Sequence, residues 1–120
     1  METYRWPRKK PIRNGKYIYP TASLNVIKIS TDEGISSIGL SGSVEGAENI
    51  GTSILEHFRQ VVIGQDPFDT ERIWDDLWQP KLIGRRGITT RIISGIDIAL
   101  WDLKGKIVNK PLYKLSLIHI

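Results

Sequence analysis

The chain has 120 residues, 40% hydrophobic and 25% charged, which suits one globular domain, excludes wholesale disorder, and is far short of the about 250 residues of a (β/α)8 barrel. There is no cysteine, so neither a disulfide framework nor a thiolate zinc site can form, in keeping with a reducing cytoplasm. The net charge of +4 is uneven: residues 1–16 carry Arg5, Arg8, Lys9, Lys10, Arg13 and Lys16 against Glu2 alone, while the rest of the chain holds eleven cations and twelve anions.

The opening Met1–Pro7 has no apolar run that would make a signal peptide, and no apolar run approaches the ~18 residues of a membrane span. Residues 5–16 read as a loop, with Pro7, Pro11 and Asn14-Gly15 as turn signals. A strand end is possible over Glu2–Trp6. Tyr17 to Thr31 reads as a strand, with Ile27 and Ile29 on one side and Val26 and Lys28 on the other. Asp32-Glu33-Gly34 is a tight turn, and Ile35 to Leu40 returns as a second strand with Ile38 and Leu40 on one face. Ser41 to Gly46 is a loop of small residues.

Helices follow. Ala47, Ile50, Ile54, Leu55, Phe58, Val61 and Val62 make an apolar stripe that Gly64 ends. A second helix begins at Asp69, an N-cap type, with Phe68 and Ile73 spaced for a hydrophobic staple. Its apolar face is Ile73, Trp74, Leu77 and Trp78, and Pro80 stops it. After the loop Gly84-Arg85-Arg86-Gly87, a third helix is predicted from about Ile88 to Ile107, with the stripe Ile88, Ile92, Ile93, Ile96, Ala99, Leu100, Leu103 and Ile107. Asp102 and Lys106 form an i,i+4 pair on it. Strands followed by helices imply an α+β domain: an antiparallel β-meander of two to three strands and a three-helix bundle.

Ser94-Gly95-Ile96-Asp97-Ile98-Ala99-Leu100-Trp101-Asp102-Leu103-Lys104-Gly105-Lys106, with Pro111-Leu112-Tyr113-Lys114-Leu115, resembles the signature of the mandelate racemase / muconate lactonizing group of the enolase superfamily. Thr31–Ile35, Gly64–Asp69 and Glu71–Trp74 resemble that group's N-terminal domain, in the family's order. The pattern departs at Ile92, where the family usually has alanine, and at Ser116, where glycine is expected. On this resemblance, residues 1–110 are an enolase-like N-terminal capping domain and 111–115 start a connection to a missing TIM barrel. Residues 116–120 read as an adapter-derived or frameshifted tail, because Leu115–Ile120 matches a translated transposase sequencing adapter.

The resemblance implies a parent enzyme that removes the proton next to a substrate carboxylate, with Mg2+ held by barrel residues and none by this fragment. It implies an acid-sugar dehydratase, with a racemase or cycloisomerase as the alternative. The fragment itself is expected to be inactive. The implied partners are a small carboxylate or acid-sugar substrate and further copies in a homo-oligomer, with no nucleic acid and no membrane. The capping domain would supply two loops over the substrate, roughly Trp6–Tyr19 and Ser41–Glu48. Trp6, Lys9, Lys10, Arg13, Asn14 and Lys16 are the candidate substrate-binding residues, since cations suit a carboxylate and an amide suits hydroxyls.

Other motifs carry less chemistry. Asp97 and Asp102 are five residues apart, about 140° around a helix, so they do not share a face as metal ligands would. Lys104-Gly105-Lys106 sits at a helix end, where cations complement the dipole. His57 stands alone, Trp74, Trp78 and Trp101 are spaced as core residues, and Arg85-Arg86 reads as an exposed loop. Gly39–Gly42 lacks the further glycines and lysine of a phosphate loop. A small nucleic-acid-binding protein using the basic arm is the reading from another class; it predicts steeply salt-dependent binding.

Overall fold

The computed structural model describes residues 1–42, 48–78 and 87–116. Three strands, β1 (Glu2–Asn14), β2 (Tyr17–Ser30) and β3 (Ser36–Gly42), form an antiparallel meander in the order β1-β2-β3. Helices α1 (Glu48–Val62), α2 (Thr70–Trp78) and α3 (Ile88–Ile107) follow, and a single turn, α4 (Leu112–Leu115), closes the described chain. This is the α+β meander and helix bundle expected from the sequence, with the meander at its full three strands.

One element differs. Residues 5–14, read as loop, belong to β1 and pair with β2 from Glu2↔Val26 to Asn14↔Tyr17. The prolines that argued for a loop are tolerated because β1 is an edge strand, where a missing N–H need not break a ladder. The Asn14-Gly15 signal is a real turn. Gly15 has φ 47 and Lys16 does not share the positive sign, the pattern of a two-residue type II′ hairpin turn with glycine first. At the other end of β2, Gly34 has φ 84, and Thr31 N–H donates to the Ile35 carbonyl at 2.8 Å, as predicted for Asp32–Gly34.

The helices cover one face of the sheet. Ile27 of β2 joins Ile54 and Phe58 of α1, Ile73 and Leu77 of α2, and Ile92, Ile93, Ile96 and Leu100 of α3 in one buried cluster. Burying each such side chain is worth about 1.5–3 kcal/mol, so the stripe spacing on the three helices dictates their packing. Ile50 lies outside that stripe, 53% exposed, and Ala47 lies outside the described residues. The predicted face of Ile38 and Leu40 is the one without helices. The tryptophans differ: Trp74 is half-buried and packs against the core cluster, Trp78 is exposed and stacks on Trp74 at 6.0 Å, and Trp101 is half-buried. Phe68 is likewise half-exposed, with Lys104 Nζ 5.8 Å above its ring.

Helix α3 crosses β3 at glycines. A Cβ on Gly39 would overlap the carbonyl oxygen of Gly95 and lie 2.8 Å from the Ala99 nitrogen. The crossing therefore brings helix backbone onto strand backbone, a use of glycine for close approach. Ser41 Oγ donates to the Arg91 carbonyl at 3.0 Å. Lower down, the Ile38 N–H donates to Asp102 Oδ2 at 3.2 Å, and Lys106 Nζ donates to the Ser36 carbonyl at 2.9 Å while pairing with Asp102 at 2.8 Å. The predicted Asp102–Lys106 pair thus also occupies polar backbone groups of β3, the second edge strand, as sheet edges require. At its C-terminus α3 ends in a Schellman motif: Asn109 has φ 51, Lys110 N–H donates to the Gly105 carbonyl at 2.9 Å, and Asn109 N–H to the Lys106 carbonyl at 3.3 Å.

Candidate functional site

The sheet has an uneven end. β3 pairs with β2 only from Ser30 to Leu24, stopping at Leu24↔Gly42. The β1–β2 hairpin runs on past that point, through Trp6↔Ala22 and Pro7↔Thr21 to the Gly15-Lys16 turn. The result is an arm that projects beyond the sheet at the same end at which β3 leads into residues 43–47. Of the two predicted loop regions, the first therefore lies at the end of the sheet where β3 stops. The first is a hairpin and not a loop; of the second, Ser41 and Gly42 belong to β3, and 43–47 lie outside the described residues.

The arm is irregular in the middle. Register breaks between Pro7↔Thr21 and Ile12↔Tyr19, so Arg8, Lys9, Lys10 and Pro11 stand opposite Pro20 alone. Extra residues on one strand make a bulge, which bends and twists the hairpin. Arg8 turns back and its Nε donates to the Thr21 carbonyl at 3.2 Å. At the base, Tyr4 donates its O–H to Glu2 Oε2; that carboxylate holds the phenol pKa above its ordinary value, by the hydrogen bond first and by charge second.

All six predicted binding residues are exposed on this arm, but they do not form one face. Residues opposite each other in the ladder share a face, and neighbours alternate. Ile12 and Asn14 go with Tyr19 and Tyr17; Arg13 goes with Ile18. Trp6 goes with Ala22, and counting along β2 from Ala22 to Ile18 puts Trp6 and Arg13 on the same side, with Asn14 on the other. Lys9 and Lys10 are in the bulge, and Lys16 is at the turn. A ligand lying against one face meets Trp6 and Arg13, or Asn14, but not all three. Sequence reasoning missed Ile12, Tyr17 and Ile18, which are 51%, 60% and 52% exposed. Their alternation is visible only once residues 12–19 are known to be paired strands.

The remaining candidates have structural partners. Lys104 Nζ donates to Thr70 Oγ1 at 3.0 Å and lies 4.4 Å from the Trp101 ring centre, tying α3 to α2. Asp102 and Lys106 hold β3. Asp97 lines a shallow crevice with Thr70, Glu71, Trp74 and Trp101; burial raises its pKa above the ordinary aspartate value, and nearby Lys104 partly opposes this. Among the described residues no three His, Asp or Glu side chains converge as metal ligands would. With Asp102 engaged by β3 and Asp97 on another side of α3, the residues described do not fit a Mg2+ site. His57 is exposed beside Phe58. Arg85, Arg86 and His119 lie outside the described residues. No described helix is long and apolar enough to cross a membrane.

The family described as "Mandelate racemase / muconate lactonizing enzyme, N-terminal domain" matches residues 2–116. A D-galactonate dehydratase family member from Marinomonas sp. is 38% identical over 107 residues, covering 87% of this chain and 26% of the relative. Among solved structures, a racemase from Streptomyces coelicolor with bound magnesium superposes with a TM-score of 0.84 at 29% identity, over 94% of this chain and 32% of that one. The L-talarate dehydratase of Polaromonas sp., complexed with Mg and L-glucarate, gives a TM-score of 0.80 at 28% identity, again over 94% of this chain and 32% of that one. The chain thus spans about a quarter of the length of the curated relatives it matches.

Proposed function

The chain belongs to the mandelate racemase / muconate lactonizing enzyme family as its N-terminal domain, and from that premise we propose that it is the substrate-capping part of a Mg2+-dependent acid-sugar dehydratase. The reaction class is removal of the proton next to a carboxylate, followed by loss of water. Magnesium and the acid/base groups would come from polypeptide outside these 120 residues. The share of this chain is to cover the substrate, exclude water and orient its charged end.

The observation that carries this reading is the sheet's uneven end. The arm projects at the end of the sheet where β3 stops, and it concentrates Lys9, Lys10, Arg13 and Lys16 there. A carboxylate-bearing polyol suits such a surface, since cations hold the acid while amide and phenol groups hold hydroxyls. Likeness to a D-galactonate dehydratase family member, a D-mannonate dehydratase and an L-talarate dehydratase supports the dehydratase reading; the S. coelicolor racemase keeps racemisation as the alternative.

A chimera tests the proposal. These residues are joined to the barrel part of the Polaromonas L-talarate dehydratase and assayed with acid sugars and Mg2+. Arg13→Glu with Lys16→Glu is expected to raise KM about tenfold or more, because two attractive charges become repulsive. An active chimera with unchanged KM would remove the arm from substrate binding. Turnover by the 120-residue chain alone would contradict the capping role itself.

A further inference from the structure

We propose that Arg8 is the positioning residue of the arm: its side chain straps the bulge to β2 and so fixes the angle at which the hairpin tip, residues 12–19, stands on the sheet. Every other residue of β1 is exposed; Arg8 alone is half-buried. It is also the first residue past the last regular pair of the stem, Pro7↔Thr21. Instead of pointing outward with its basic neighbours, it folds across the bulge, and its Nε donates to the carbonyl of Thr21, the residue just before the register break.

The bulge needs such a strap. Four residues face Pro20, and Pro11 and Pro20 have no N–H to give to a ladder. Local pairing is therefore thin where the arm leaves the stem. Beyond it lies a short two-stranded ribbon, Ile12–Asn14 with Tyr17–Tyr19, and a ribbon of that length has little stability of its own. Its orientation depends on the bulge, and the bulge is held by a guanidinium that bonds a backbone carbonyl in a fixed planar geometry. Arg8 thus differs in role from Lys9, Lys10, Arg13 and Lys16, although all are cations of one arm.

The mechanical statement stands on the chain alone; its meaning for substrate rests on the capping reading above. The test uses the 120-residue chain labelled with 15N. Backbone order parameters at residues 12–19 are expected near 0.85 in the parent, below about 0.6 in Arg8→Ala, and back toward the parent in Arg8→Lys, which keeps a donor and the charge. Ile27 and Ile29 in the stem serve as controls and should stay unchanged. Unchanged tip values in Arg8→Ala would overturn the proposal. So would an equal loss in tip and stem, which would mean general destabilisation. No substrate enters this measurement, so a tip that proves Arg8-dependent in a chimera whose KM ignores Arg13 and Lys16 takes the arm out of substrate binding and leaves the strap.

Discussion

The α3–β3 seam and the hairpin arm are built on opposite plans. Along the seam backbone meets backbone, at Gly39 and Gly95, and side chains of one element satisfy the main chain of the other, from Ser41 to Arg91, Asp102 to Ile38 and Lys106 to Ser36. Along the β1 side of the arm every side chain but that of Arg8 is exposed. The motif that identifies the family lies on the seam, where it does structural work. The residues that could touch a ligand lie on the arm, where no packing constrains them. The family motif and the proposed ligand-binding residues therefore lie in different parts of the chain.

The sharpest way to break this contrast is at its tightest point. In Gly39→Ala the new methyl meets the Gly95 carbonyl and the Ala99 nitrogen, both backbone, so neither side can rotate away. A loss of about 3 kcal/mol or more, or no cooperative unfolding at all, is expected in urea titration. Gly95→Ala should cost less, about 1–3 kcal/mol, since its methyl meets Ile27 Cδ1 at 2.7 Å and Ser41 Cβ at 3.0 Å, which are side-chain atoms. Parent-like stability in Gly39→Ala would mean that the crossing is looser than described.

Asp102→Ala comes next. It removes the acceptor of the Ile38 N–H and the ion-pair partner of Lys106, for an expected loss of roughly 1–2 kcal/mol and faster amide exchange at Ile38. Exchange at Ile38 unaffected by the substitution would dismiss the edge-sealing role. Ser37→Ala should move the other way. Ser37 is 1% exposed and its Oγ has no hydrogen-bond partner, so trading the hydroxyl for a methyl is expected to stabilise by about 1 kcal/mol. A destabilised Ser37→Ala would reveal a partner for that hydroxyl.

Asp97 gives a smaller, pH-dependent effect. Its folded-state pKa is raised by burial, with Lys104 opposing, so the native state binds its proton more tightly than the unfolded chain does. Its contribution to stability is fully present below the ordinary aspartate pKa and is lost as pH rises through the raised value. Asp97→Asn should flatten that part of the stability–pH curve and leave the neutral-pH midpoint equal to or above the parent's. An unchanged slope between the ordinary carboxylate range and neutrality would show that Asp97 titrates normally.

Much of the fold is legible in the sequence. The helical stripes placed α3 at Ile88–Ile107, and Gly34 marked its turn, because burial and positive φ act locally. The arm was misread because Pro7, Pro11 and Asn14-Gly15 are turn signals in isolation; only pairing with β2, a nonlocal fact, makes them an edge strand. Trp78 was misread for a related reason. Helical spacing shows which side of a helix a residue is on, but not how far around it the neighbours reach; Trp74 still packs against the core, while Trp78 sits past that limit. The six candidate residues all lie on one arm, but their spread over two faces, the bulge and the turn is visible only from the register.

The smallest expected effect is the most discriminating for the arm. Lys9→Ala, Lys10→Ala, Arg13→Ala and Lys16→Ala each delete an exposed cation from a run where like charges already repel. Each should change unfolding free energy by no more than about 0.5 kcal/mol, and removing several together should if anything raise the thermal midpoint at low salt, an effect that screening abolishes. A thermal scan at two salt concentrations measures both statements. A drop of about 1 kcal/mol from any one of the four would show that the arm is held by its cations and is not simply carrying them. The silence of these positions in a stability assay, set beside the collapse expected at Gly39, is what the proposed capping role requires: residues that would serve a ligand outside the domain have no partner inside it to lose.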